Sequence, residues 1–134
     1  MSVLIDTNIA IHLRDGDEEI VRRVAELDEI PLISIVTQIE LEGGIAAKPL
    51  LAEIRRRALT RILASTKVLD FEADMASVYR TILQAAGYSR TRVLDRMIAA
   101  TAIVHGLTLI TINGDDFRDI PDLDLEIWPS PAAQ

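Results

Sequence analysis

Acidic side chains at four separated places, Asp6, Glu40, Asp95 and the neighbours Asp115 and Asp116, are the residues whose types and positions could do chemistry in this sequence. Asp6 directly follows the apolar run Val3-Leu4-Ile5, and Asn113, Asp115 and Asp116 follow the run ending at Thr111. Glu40 falls in the first turn of a helix expected after a second apolar run, and Asp95 at the start of the helix leading into the 107–111 run. Carboxylates gathered at one place repel one another unless protons or cations offset them. Oxygen donors suit Mg²⁺ or Mn²⁺, and a chain with no Cys and two His has little to offer zinc. A divalent ion lowers the pKa of a bound water and stabilises the attacking and leaving oxygens of a phosphodiester, so no protein nucleophile is needed.

For acids so far apart to meet, the strands they follow must lie side by side. Residues 3–5, 31–36, 68–71, 107–111 and 125–128 are short and rich in Val, Ile and Leu, as strands buried on both faces are. Between them, Asp6-Thr7-Asn8 supplies capping side chains ahead of residues 9–13, and residues 17–27 place Ile20, Val24 and Leu27 on one helical face. A helix opens at Thr37 and is expected to break at Gly43-Gly44; another spans 50–64; a third spans 72–86 and stops at Gly87, read as a left-handed cap. The last runs from 94 to 105 and ends at Gly106. Strands alternating with helices imply an α/β fold with a central parallel sheet, because parallel strands need crossovers. Ligands of such sheets sit beyond the carboxyl ends of the strands, where all four acidic positions are expected.

The 134 residues suit a single domain, 1–134, with a frayed tail at 129–134. Apolar residues make up 49% and charged residues 26%, a globular composition. Without cysteine, disulfides and thiolate chemistry are excluded. The first residues have no basic leader, and no apolar run approaches the roughly 20 residues of a membrane span, so a soluble, cytoplasmic protein is expected. A net charge of −7 argues against holding nucleic acid on a broadly cationic surface. Local arginines remain: Arg55, Arg56, Arg57 and Arg61 read best as a solvated helix face, whereas Arg90, Arg92 and Arg96 are possible RNA contacts.

Each acid also has an ordinary explanation. Asp6 could cap the following helix, Thr37-x-x-Glu40 fits a capping box, Asp95 suits a first helical turn, and Asp115-Asp116 could form a turn. His12 and His105 lack ligand spacing and read as structural; Trp128 reads as a packing residue with its ring N–H satisfied. Met75, Tyr79, Ile82 and Leu83 form a core or dimer stripe. The case for chemistry rests on the common edge.

Four ordered blocks covering nearly the whole chain resemble the PIN-domain family, and within it the VapC-like toxin ribonucleases of type II toxin-antitoxin systems. They are Leu4-Ile5-Asp6-Thr7-Asn8; Ser34-x-x-Thr37-x-x-Glu40-Leu41-x-x-Gly44; Asp95-x-x-Ile98-Ala99-Ala100-x-Ala102; and Thr111-x-Asn113-x-x-Asp116-Phe117. The resemblance implies a three-layer α/β/α fold with a central, mostly parallel sheet. It implies that Asp6, Glu40, Asp95 and Asp116 are catalytic, metal-binding acids, with Thr7, Asn8, Thr111 and Asn113 supporting them. The block spacing selects Asp116 over Asp115 or Asp119, and Glu40 over Glu42. The implied activity is Mg²⁺- or Mn²⁺-dependent endoribonuclease cleavage leaving 5′-phosphate and 3′-hydroxyl ends, inhibiting translation. The implied partners are RNA, a VapB-like antitoxin and a second copy of the chain. Three other readings compete: a PIN-type RNA-processing nuclease without toxicity, a non-catalytic interaction module, and a phosphoryl-transfer domain using Asp6 as nucleophile. The last lacks an Asp-x-Asp after the first strand and a well-placed Lys.

Overall fold

The computed structural model describes residues 2–131, and β1 (Val3–Ile5) is the middle strand of its sheet. The chain continues through α1 (Thr7–Arg14), α2 (Glu18–Ala25), β2 (Leu32–Ser34), α3 (Ile35–Ala47) and α4 (Ala52–Ser65). It then runs through β3 (Lys67–Leu69), α5 (Ala73–Ala86), α6 (Val93–His105), β4 (Thr108–Thr111) and β5 (Leu125–Ile127). Single 3₁₀ turns at Pro49–Leu51, Arg90–Arg92 and Gly114–Asp116 precede α4, precede α6 and follow β4. The sheet order is β3-β2-β1-β4-β5, every pairing parallel. The chain winds outward from β1 in both directions, so the switch in strand order lies between β1 and β4, where open sheets of this kind bind ligands.

The two-residue alternation of the strands divides the core. Leu4 and Leu109 face one side, packing with Met75, Ile82, Ile98 and Phe117 beneath α5 and α6. Ile5, Ile33 and Ile110 face the other, against Ile9, Ile20, Ile62 and Trp128. Each such fully buried aliphatic side chain contributes about 1.5–3 kcal/mol relative to exposure, so a one-residue slip of β1 would put the wrong face against both layers. The expected three-layer arrangement is what the chain adopts. Trp128 is buried as expected, and its indole N–H donates to Glu126 Oε2 at 2.6 Å.

Several local expectations are corrected. The second strand is shorter than 31–36, because Ser34 already caps α3, its hydroxyl accepting from the Val36 N–H at 3.0 Å. Thr37 therefore lies inside the helix, and the capping box with Glu40 does not form. Nor does α3 break at Gly43-Gly44; it continues to Ala47. Gly44 instead permits close approach: its carbonyl accepts from Arg55 at 2.7 Å, and a Cβ there would lie 2.9 Å from the Arg14 guanidinium. Gly87 ends α5 with φ 78° and ψ 169°, a positive φ but not the left-handed helical conformation that Gly106 adopts after α6. Of the expected tail, residues 129–131 have no regular structure and residues 132–134 lie outside those described. Among the described residues, no helix is long and apolar enough to cross a membrane.

Candidate active site

At the carboxyl ends of β1 and β4 the backbone brings together residues more than a hundred positions apart. Leu4 and Ile5 pair with Leu109 and Ile110, and the Asp6 N–H continues the ladder to Ile110 O at 2.9 Å. Asp6 thus comes level with the end of β4 and beside Thr111. It is 2% exposed and caps α1 through a 2.8 Å bond from the Thr7 N–H to Oδ1. Its other oxygen, Oδ2, accepts from Asn8 Nδ2 and from the Thr111 hydroxyl, both at 2.9 Å. Thr111 Oγ1 accepts in turn from the Asn113 N–H at 3.0 Å, and Asn8 Oδ1 accepts from the Ile112 N–H at 3.3 Å, which fixes the Asn8 amide's orientation. Capping and chemistry are therefore not rival explanations of Asp6, since one oxygen serves the helix and the other the network across the sheet.

On the other side of Asp6, α3 presents Thr37 and Glu40 one turn apart. Thr7 Oγ1 donates to Glu40 Oε1 at 2.7 Å and lies 2.9 Å from Thr37 Oγ1. A hydroxyl has one proton, so Thr37 is the donor in the second contact. Thr37, fully buried, is a site residue that sequence reading assigned to a cap; its spacing of three from Glu40, which puts both on one helical face, was the available signal. Glu42 points elsewhere and pairs with Arg56 on the surface.

The second pair of acids comes from α6 and the turn after β4. Asp95 lies in the first turn of α6, and Asp116 closes the 3₁₀ turn. Asp116 sits 3.9 Å from the Arg92 guanidinium, while Asp115 faces solvent and pairs with Arg118. The charge of Asp116 acts on Asp95, while Asp115 is turned to Arg118. Asn113 is exposed; besides its backbone bond to Thr111, it lines a shallow polar cleft with Asp116, Arg118 and Ile127. The arginines separate. Arg90 is exposed, Arg92 is half-buried beside Asp116, and Arg96 is 1% exposed, so it cannot present itself to RNA as the sequence suggested.

Electrostatic repulsion couples the acids. Burial pushes Asp6 up to about 7 against the hydrogen bonds from Thr111 and Thr7, and the charges of Asp95 and Glu40 raise it further. Asp95 is pushed up to about 6, first by burial, then by Asp116 and Glu40, with Arg92 opposing. The four acids thus sense one another in pairs. Among the described residues, however, no three acids or imidazoles close into a ready-made cation cage: Asp6 is held by its donors, Glu40 is turned to Thr7, and Asp116 faces Arg92. The donor set nevertheless fits a hard divalent ion, being all oxygen and carrying mutual repulsion that a cation relieves.

Residues 3–123 match the PIN-domain family model, and the chain belongs to that family. Within the family its similarity is to VapC proteins. It is 31% identical to Ribonuclease VapC2 of Rickettsia felis, with 96% of this chain and 98% of the relative covered. It is 29% identical to the tRNA(fMet)-specific endonuclease VapC of Salmonella typhimurium over the same shares of the two chains. Among solved structures, it superposes on a chain of VapBC2 from Rickettsia felis, bound to a DNA fragment from their promoter, with a TM-score of 0.83 at 28% identity, covering 96% of this chain and 99% of that one.

Proposed function

We propose that this chain is a divalent-metal-dependent endoribonuclease, the toxin of a VapBC-like pair, in which Asp6, Glu40, Asp95 and Asp116 form the catalytic, metal-holding edge. The observation that carries the reading is Asp6: a carboxylate 2% exposed at the β1–β4 switch, whose protonation is raised by burial and by two other acids. A merely structural acid at such depth would be expected to have a guanidinium or ammonium partner. Asp6, Glu40, Asp95 and Asp116 would hold Mg²⁺ or Mn²⁺. Such an ion supplies a water of lowered pKa and charge stabilisation at the phosphodiester oxygens.

The chain's own residues set the geometry. Thr111 and Asn8 hold Asp6 Oδ2 in one orientation, and Asn113 fixes the Thr111 hydroxyl through its backbone N–H. Thr37 donates to Thr7 and Thr7 to Glu40, which ties the Glu40 carboxylate to the residue that follows Asp6. Arg92 brings positive charge beside Asp116, where an RNA phosphate would otherwise meet only carboxylates. The remaining parts of the reading are a single domain working in the cytoplasm, RNA cleavage that inhibits translation, a homodimeric state, and silencing by a VapB-like antitoxin. The family's solved VapBC complexes support the last of these.

The test is to incubate the purified protein, freed of copurifying chains, with a bacterial RNA pool that includes initiator tRNA, with and without Mg²⁺ or Mn²⁺. Fragment ends are then sequenced beside an Asp6→Asn variant. Metal-dependent cuts absent from the variant support the reading; identical behaviour of the two proteins in every metal overturns it.

A further inference from the structure

Arg96 is a full-length charged side chain, 1% exposed, one residue after Asp95. Its Nη1 donates to Gly87 O at 2.5 Å and its Nη2 to Asp119 Oδ2 at 3.4 Å, while Nε has no hydrogen-bond partner among the described residues. Burying a guanidinium with one of its donors unmatched costs free energy, so packing alone does not account for its presence. Its two partners lie on the two loops that flank the acids: Gly87 ends α5 ahead of the Arg90–Arg92 turn, and Asp119 follows the turn that carries Asp116. Arg96 therefore ties both loops to the first turn of α6.

Asp119 is shared. The oxygen that accepts from Arg96 also lies 3.5 Å from Arg92 Nη1, and the other end of the Arg92 guanidinium lies 3.9 Å from Asp116 Oδ1. These separations are ion-pair distances longer than good hydrogen bonds. Arg92 is thus flanked by two carboxylates at ion-pair distance, its guanidinium makes no hydrogen bond among the described residues, and its side chain is 34% exposed. A guanidinium held this way is ready for bidentate contact with a phosphate. Arg90, exposed and in no ion pair among the described residues, is not so held.

We propose that Arg92 contacts a phosphate of the RNA beside the cleaved bond, and that Asp119 and Arg96 are positioning residues that set its guanidinium there. The proposal rests on the ribonuclease reading above and adds to it three residues outside the four acids, one contact and two that position it. Asp119 is 39% exposed at its side chain, and Asp119→Asn keeps an oxygen to accept from Arg96, which makes it the informative position; because the change also removes the carboxylate beside a buried guanidinium, the melting temperature of each variant is measured alongside.

The experiment measures cleavage of a labelled single-stranded RNA of mixed sequence in Mg²⁺, together with anisotropy of the same RNA on each protein, for wild type, Arg92→Gln, Asp119→Asn, the double variant, Arg96→Lys and Arg57→Gln. Arg92→Gln and Asp119→Asn should each raise KM and Kd about tenfold with kcat changed less than about threefold, and the double variant should lose no more than Arg92→Gln alone, the signature of one coupled contact. Arg96→Lys, which keeps the charge but loses the fork, should fall between wild type and Asp119→Asn, and Arg57→Gln, which loses only a surface pair with Glu53, should stay within about twofold of wild type. The proposal is overturned if Asp119→Asn leaves KM and Kd unchanged, if its loss multiplies with that of Arg92→Gln, or if the only effect is a lower melting temperature. Should wild type cut nothing in any metal, the ribonuclease reading fails, and the anisotropy series still decides this one: coupled losses of binding sustain it, and absence of binding by wild type overturns it.

Discussion

Two populations of carboxylates share this acidic chain. On the helical surface, Glu19, Glu26, Glu42 and Glu53 each face an arginine, Arg23, Arg22, Arg56 and Arg57, at 2.6–3.4 Å. At the sheet's carboxyl edge, Asp6, Glu40 and Asp95 have no ion pair among the described residues and are held by hydroxyls and amides, or face one another. The excess of negative charge is therefore not spread evenly. Surface acids are matched where matching is easy and solvent makes it worth little; edge acids are left unmatched where burial makes that expensive. A fold selected for stability alone would do the reverse, which is the arrangement expected of the catalytic edge proposed above.

The largest expected effect breaks the comparison at its centre. Asp6→Asn keeps the shape and removes the charge, and RNA cleavage should fall by at least about 100-fold. Stability should move the opposite way. The Asp6 carboxyl lies at about 7 in the folded chain against an ordinary 3.8, so between these pH values the unfolded chain releases a proton that the folded chain keeps. Wild type therefore carries no penalty from this group below about pH 4 and loses stability as pH rises to about 7, by on the order of 4 kcal/mol at 1.36 kcal/mol per unit. The amide of the Asp6→Asn variant has no such proton to lose. In urea titrations with chelator present, the stability of Asp6→Asn relative to wild type should rise from pH 4.5 to pH 7.5; a gap that does not change with pH would remove the electrostatic account of the edge.

A smaller effect separates neighbours. Asp116→Asn should reduce cleavage roughly 10–100-fold, while Asp115→Asn, which loses only a surface contact with Arg118, should stay within about twofold of wild type. Equal losses at the two positions would mean that the turn holds its acids differently in solution. Smaller again is Thr111→Val, which removes the hydroxyl that favours the charged form of Asp6. Cleavage should drop about tenfold, and its acid-side pH midpoint should move upward, because one of the hydrogen-bond donors that favour the charged form of Asp6 is gone. A midpoint that stays in place would show that Thr111 does not set the protonation of Asp6.

How much of this could be read from the residues depended on range. The strands at 3–5 and 107–111 and the helices between them were legible because buried parallel strands and amphipathic helices have local patterns. The four acids were legible only as candidates, since each has a local explanation and only the β1–β4 pairing gives them a shared one. Thr37 was misread for the same reason: Thr-x-x-Glu looks like a cap until Ser34 is seen to occupy the cap position. Gly43-Gly44 looked like a break because propensity weighs glycine heavily, whereas the helix there is held by Arg55 from α4. Arg96 looked like a surface cation because nothing local reveals that Gly87 and Asp119 fold over it.

The smallest expected effect lies on the other side of the comparison. Glu42 is two residues from Glu40 on the same helix, so the two acids project in different directions, Glu40 inward to Thr7 and Glu42 outward to Arg56. Arg56 lowers the Glu42 pKa through hydrogen bonding, yet both groups are in water, where ion pairing and solvation nearly cancel. Glu42→Gln should therefore leave cleavage within about twofold and the melting temperature within about 2 °C of wild type, readable by the same RNA assay and a thermal melt. Salt sharpens the contrast. Raising ionic strength screens the exposed Glu42–Arg56 pair and should shrink whatever small difference Glu42→Gln makes, but it should leave the pH-dependent gap of Asp6→Asn largely intact, because a buried charge is poorly screened. If both differences faded together with salt, Asp6 would belong electrostatically to the surface population.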